Sequence, residues 1–152
     1  ELDTGRSPVH TFTPLLGAQV DLDARAEVVL DVDTGFEHGV LVDSGDVAAC
    51  ESTLQPGDLG YQGTGYGQLT ITNRGDAPAR VVLLGGTPFG EDLVMWWNFV
   101  GRSHSDIVGY REQWQQEDER FGSVDGYRGA VARLPAPPLP NATLRPRSNP
   151  GV

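Results

Sequence analysis

The stretch DVDTGFEHGVLVDSG, Asp31 to Gly45, places two carboxylates and an imidazole along what reads as a strand, a turn and a second strand. Its flanks extend the pattern. Residues 26–33, AEVVLDVD, and residues 38–43, HGVLVD, are short, rich in β-branched residues and bounded by turn formers. Successive side chains of a strand point to opposite faces, so Asp31 and Asp33 share one face and Val28, Leu30 and Val32 the other. If the apolar face is the core, the candidate polar set of Asp31, Asp33 and His38 looks out to solvent or to a partner. A slip of one residue would reverse that assignment.

Working outward, residues 46–50 (DVAAC), 68–72 (QLTIT) and 79–84 (ARVVLL) continue the series of short strands. In QLTIT, Gln68, Thr70 and Thr72 lie opposite Leu69 and Ile71. The turn signals DSGD, QPGD and NRGD between these segments predict antiparallel hairpins, and hence an all-β sandwich or barrel. At 152 residues the chain has room for one sizeable core, and its 20 Gly and 11 Pro suit short strands with many turns. A single cysteine, Cys50, excludes an intrachain disulfide and at a strand end reads as a small apolar residue. No apolar run reaches membrane-spanning length and no signal-peptide pattern is present, which points to a cytoplasmic protein without a membrane partner. The chain begins Glu1-Leu2 without an initiator Met, so it is expected to be a piece of a longer protein.

All 11 cationic residues are Arg, against 21 acids. Residues 1–127 hold every acid and 7 Arg, a net charge of −14, whereas residues 128–152 carry 4 Arg and no acid. Such a body lacks the cationic patch that phosphate contact needs, which argues against direct nucleic-acid binding. The basic tail can lie across the acidic body instead.

One helix is expected. It starts at Ser103, whose hydroxyl and the carboxylate of Asp106 have the spacing of a capping box. Ile107, Tyr110 and Trp114 then recur on one face, and Gly122 is the expected stop. Before it, Met95-Trp96-Trp97-Asn98-Phe99 sets large aromatics side by side; one side can fill the barrel while the other packs under the Ile107/Tyr110/Trp114 face of the helix, the favoured reading, or against another domain, with Trp96, Trp97 and Phe99 as the interface residues. The tail LPAPPLPNATLRPR is too rich in Pro for a helix or central strand and reads as an extended strap. His10 and His104 read as isolated, solvated histidines.

The Asp31–Gly45 spacing resembles the first metal-binding motif of cupin barrels, H-x-H-x3-4-E-x6-G, with Asp31 and Asp33 at the two His and His38 at the Glu. The stretch from Gly57, GDLGYQGTGYGQLTIT, resembles the second, with Gln68 at the His and Thr72 at the Asn. The segments LLGGTPFGEDLVMWWNFVGRSHSDI, RFGSV and the Pro-rich ending are similar to the second half of pirin-like proteins, which hold two cupins in one chain. The resemblance runs from about Ser7 to Arg147. It implies a first cupin, absent from this sequence, that binds one iron through strands similar to H-P-H-R-G-F-E and G-D-x6-G-R-G-x2-H-x-E. Some members of that family cleave the flavonol quercetin with dioxygen and some are transcriptional co-regulators. Laid on this chain, the four ligand positions hold Asp31, Asp33, Thr70 and Thr72.

Non-haem iron takes imidazole plus carboxylate with open positions, and neutral Thr hydroxyls are weak ligands for it. The expectation is therefore an all-β cupin barrel over residues 1–102, a helix over 103–122 packed on it and a strap over 123–152. It should be a metal-free, non-catalytic C-terminal half that supports an iron-bearing N-terminal cupin, or pairs with a second copy of itself. The alternative is a metal-dependent dioxygenase in its own right, using Asp31, Asp33 and His38.

Overall fold

The structure is a computed structural model that describes residues 8–147. The chain divides into two compact units, one up to Pro88 and one from Phe89. Among the described residues the first contains eight strands: β1 (Leu15–Leu22), β2 (Glu27–Asp31), β3 (Glu37–Ser44), β4 (Val47–Ala49), β5 (Ser52–Leu54), β6 (Leu59–Gln62), β7 (Gln68–Asn73) and β8 (Ala79–Gly86). They form two antiparallel four-stranded sheets, ordered β1-β8-β3-β6 and β2-β7-β4-β5. The inward residues, Val20, Val40, Val42, Val47, Leu69, Ile71, Val81 and Leu83 among them, make one core. The five strands expected from the sequence are present, and β1, β5 and β6 are additional. β5 and β6 are only three and four residues long, too short for alternation to register.

The three turn signals do not make hairpins. DSGD, QPGD and NRGD each carry the chain from one sheet to the other: β3 to β4, β5 to β6 and β7 to β8. Gly45, at the first of these corners, has φ 101°, and a Cβ there would come within 2.4 Å of the Ala79 Cβ. Asn73, at the third, is buried and ties the corner together through its amide. Among the described residues the hairpin of this unit is instead β4–β5, turning through Cys50 and Glu51 at φ 51° and 59°. That left-handed pair is where Asn-Gly is usual, so the sequence carries no turn signal there.

The second unit holds the hairpin β9 (Val94–Trp96) and β10 (Phe99–Gly101), the helix α1 (His104–Gln115) and a 3-10 turn at Glu119–Phe121. The Met95–Phe99 segment thus groups with the helix rather than with the eight-stranded unit, and the division falls at Pro88 rather than at 102. The capping box is present: the Ser103 hydroxyl accepts from the Asp106 N–H, and the Asp106 carboxylate accepts from Ser103 N–H. The helix ends at Gln115, not at Gly122, because Glu117 turns left-handed at φ 58° and Asp118 caps the separate 3-10 turn that Gly122 closes. Ile107 is fully buried, worth about 1.5–3 kcal/mol. Along α1, Trp114 Nε1 donates to the Leu134 carbonyl, Arg111 Nε to that of Pro137, and Gln115 accepts from Ala136 N–H. His104, expected to be solvated, instead accepts the N–H of Leu144 through Nδ1 at 3.2 Å.

Candidate functional site

Strand β3 starts at Glu37, after a turn in which Asp33 Oδ1 accepts the Gly35 N–H at 2.8 Å and the Phe36 N–H reaches the Asp33 carbonyl. From there His38, Val40 and Val42 alternate inward and are buried. His38 is therefore not among the outward polar residues, as expected, but inside the barrel at 2% exposure. On the neighbouring strand its partner is Gly85, where a Cβ would sit 3.2 Å from the imidazole Cδ2. The missing side chain makes room for the ring. The signal was legible, since His38 stands two and four residues before valines of the core.

His38 lines a cleft of about 730 Å³, whose walls include Leu16, Val28, Leu30, Val32, Phe36 and Leu83, with Asp31 and Asp33 also on its lining. Neither ring nitrogen of His38 has a hydrogen-bond partner. A buried polar group in that condition costs about 1–3 kcal/mol, so it calls for a reason. Burial lowers the imidazole pKa below its ordinary 6.5, with the charge of Asp33 opposing in part, so the ring is neutral at pH 7.

Asp31 and Asp33 are exposed, Asp31 on the outer face of β2 as the alternation predicts and Asp33 past the end of that strand. Asp31 accepts from Gln68 Nε2 at 3.1 Å, while Thr72 donates to Glu27 at 2.9 Å; both pairs lie on the outer face of β2 and β7. Gln68 and Thr70 are exposed on the same face, and Leu69 and Ile71 occupy the inner one. Asp33, past the end of β2, shares the lining of the cleft with His38 and its charge acts on the imidazole, whereas Asp31 is held by Gln68 at the outer face of the strand. Among the described residues no group of three or more His, Cys, Asp or Glu could hold a metal ion. The interior of this barrel offers one imidazole among aliphatic side chains, which does not fit the imidazole-and-carboxylate set that iron requires.

Residues 17–122 match the family described as the pirin C-terminal cupin domain. The chain belongs to that family. A Pseudomonas aeruginosa protein provisionally named quercetin 2,3-dioxygenase is 38% identical over 135 residues, which cover 89% of this chain and 42% of that protein. An Arabidopsis thaliana protein, provisionally named pirin-like, is 31% identical over 107 residues, 67% of this chain and 39% of its own. The crystal structure of a quercetin 2,3-dioxygenase from Acinetobacter baumannii superposes with a TM-score of 0.73 at 34% identity, covering 92% of this chain and 45% of that one. This pirin cupin spans less than half the length of each of these relatives.

The other candidate residues of the pirin cupin lie in its second unit. Phe99 is buried there, its ring 6.4 Å from Trp96, 5.3 Å from Trp97, 6.5 Å from Tyr110 and 6.4 Å from Phe121. Trp97 begins the two-residue turn between β9 and β10 at φ 49°, which lets adjacent tryptophans avoid competing for one face. Trp97 keeps 36% of its surface exposed and Met95 73%. Cys50 is half-buried, and burial raises its thiol pKa.

Proposed function

We propose that this domain is the metal-free, non-catalytic half of a cytoplasmic two-cupin protein, and that it supports and covers an iron-bearing N-terminal cupin. The observation that carries this reading is the donor-poor interior: the strand faces that line the barrel present Leu30, Val32, Leu69 and Ile71, with His38 as the lone imidazole among them. The names of the Pseudomonas and Acinetobacter relatives support a parent protein that cleaves quercetin with dioxygen; transcriptional co-regulation is the other role for that parent. The net charge of −10 supports a protein partner over nucleic acid. Metal analysis of the 152-residue chain, purified without chelators, should find no stoichiometric iron, and the chain alone should leave flavonol absorbance unchanged under dioxygen. Bound iron that disappears in Asp33→Ala and His38→Ala would replace this reading with that of an independent dioxygenase.

In the absence of its N-terminal half, the domain pairs with itself. Strands β1, β6, β2 and β5 end their sheets, Leu59 and Leu84 are exposed on the first sheet, and Trp97 and Met95 are exposed in the second unit. Edges and apolar surface of this kind favour a two-fold dimer burying more than about 1,000 Å². Sedimentation at micromolar concentration should show a dimer; a monomer without concentration dependence would remove this part of the proposal.

A further inference from the structure

The imidazole of His38 and the cleft above it belong to none of the roles proposed so far. The metal reading does not use them, because one nitrogen ligand is not a site. Core packing does not need them either, because a Leu or Phe at position 38 would fill the same volume without stranding two polar atoms. Within the protein no polar group answers either ring nitrogen. The inner walls here are aliphatic. Of the other polar groups on the lining, the Asp31 carboxylate is engaged by Gln68 and that of Asp33 by the Gly35 N–H.

We propose that this cleft binds a neutral, largely apolar small molecule bearing one hydroxyl group, seated against Val28, Leu30, Val32 and Phe36 and hydrogen-bonded to the His38 imidazole. Each part of that description follows from one feature of the cleft. The aliphatic walls select an apolar body, and about 730 Å³ lies within the range of small-molecule sites. The neutral ring presents one accepting nitrogen and one N–H, so a single hydroxyl can donate to the first or accept from the second. The carboxylates of Asp31 and Asp33 on the lining repel an anion, which excludes an acid of the same shape. Phe36, half-buried with its ring 6.3 Å from the imidazole, adds an aromatic surface to the lining beside it. Binding here leaves the supporting role untouched: the site exists whether or not an iron-bearing partner is covered.

The test is an NMR titration of the 152-residue chain with three probes of one shape: 1-naphthalenemethanol, 1-methylnaphthalene and 1-naphthoate. The alcohol should shift the amides of Val28, Leu30 and Val32 and the ring nitrogens of His38. The methyl compound should bind roughly three- to tenfold more weakly, the range expected for one lost hydrogen bond, and the naphthoate should not bind. In His38→Phe the alcohol and the methyl compound should bind alike. Three outcomes would overturn the proposal: equal affinity of alcohol and hydrocarbon for the unaltered protein, shifts that map away from β2 and β3, or His38 nitrogens that report a resident water and no response to any probe. Because the three-probe comparison is made on the unaltered chain, it decides the matter even if His38→Phe fails to fold.

Discussion

Asn73 ends β7 at a corner between the two sheets and is 1% exposed. Its Nδ2 donates to the carbonyls of Asp23 and Ala77, each at 2.8 Å, and its Oδ1 accepts the Gly75 N–H at 3.0 Å. Asn73→Ala removes these three bonds and a longer one to the Leu22 carbonyl, and leaves the Ala77 carbonyl and the Gly75 N–H facing a void, while the Asp23 carbonyl keeps the Ala26 N–H. At about 1 kcal/mol net per bond, plus desolvation of the groups left bare, the loss is about 3–4 kcal/mol. For a chain of this size that corresponds to a fall in Tm of about 10 °C. Asn73→Asp is the sharper perturbation, because it keeps the shape but points an acceptor at two carbonyls. Its loss at pH 7 should equal or exceed that of Asn73→Ala. Part should return on acidification, since the introduced carboxyl regains one donor when protonated. Thermal melts followed by circular dichroism at pH 7 and pH 5, each referred to the unaltered chain, measure both effects. Asn73→Ala melting within about 1 kcal/mol of the parent would mean that the corner is held by backbone geometry and the amide is dispensable.

Three further outcomes follow from single features. The lowered His38 pKa means that the unfolded chain takes up that proton first, so stability is full above pH 6.5 and falls as the pH drops from 6.5 toward the folded value, by up to about 1.4 kcal/mol per pH unit. Urea titrations at pH 7, 6 and 5 should show this slope in the parent and not in His38→Phe; identical slopes would contradict the burial argument. Glu51→Gly, which relieves the left-handed residue of the β4–β5 turn, should stabilise the fold by about 0.5–1 kcal/mol, read as a higher urea midpoint at unchanged m. Ser103→Ala should cost about 1 kcal/mol and speed amide exchange in the first turn of α1, whereas Ser103→Asp, which keeps an accepting oxygen at the cap, should not.

The features legible in the sequence were those that depend on near neighbours. The alternation in AEVVLDVD and QLTIT identified the two faces of β2 and β7, and Ser103 with Asp106 marked the start of α1, because a cap is satisfied within its own turn. The pirin resemblance rested on a contiguous segment, and the family followed from it. The helix end was misplaced because Gly122 stops a 3-10 turn, and nothing in the composition of Glu117 announces a left-handed backbone.

What the sequence determined by itself was therefore the kind of protein: short strands with two distinguishable faces, turns at known places, and a family. Only the tertiary structure decided which chain segments meet. A Gly-rich turn looks the same whether the next strand pairs with the last or crosses to the opposite sheet, and DSGD, QPGD and NRGD all cross. Alternation likewise says that His38 and Val40 share a face but not that this face is covered. Coverage comes from the opposing sheet, whose Leu69 and Ile71 share the core with Val40 and Val42, and room for the ring comes from β8, more than 40 residues away in the chain, whose Gly85 lies opposite His38.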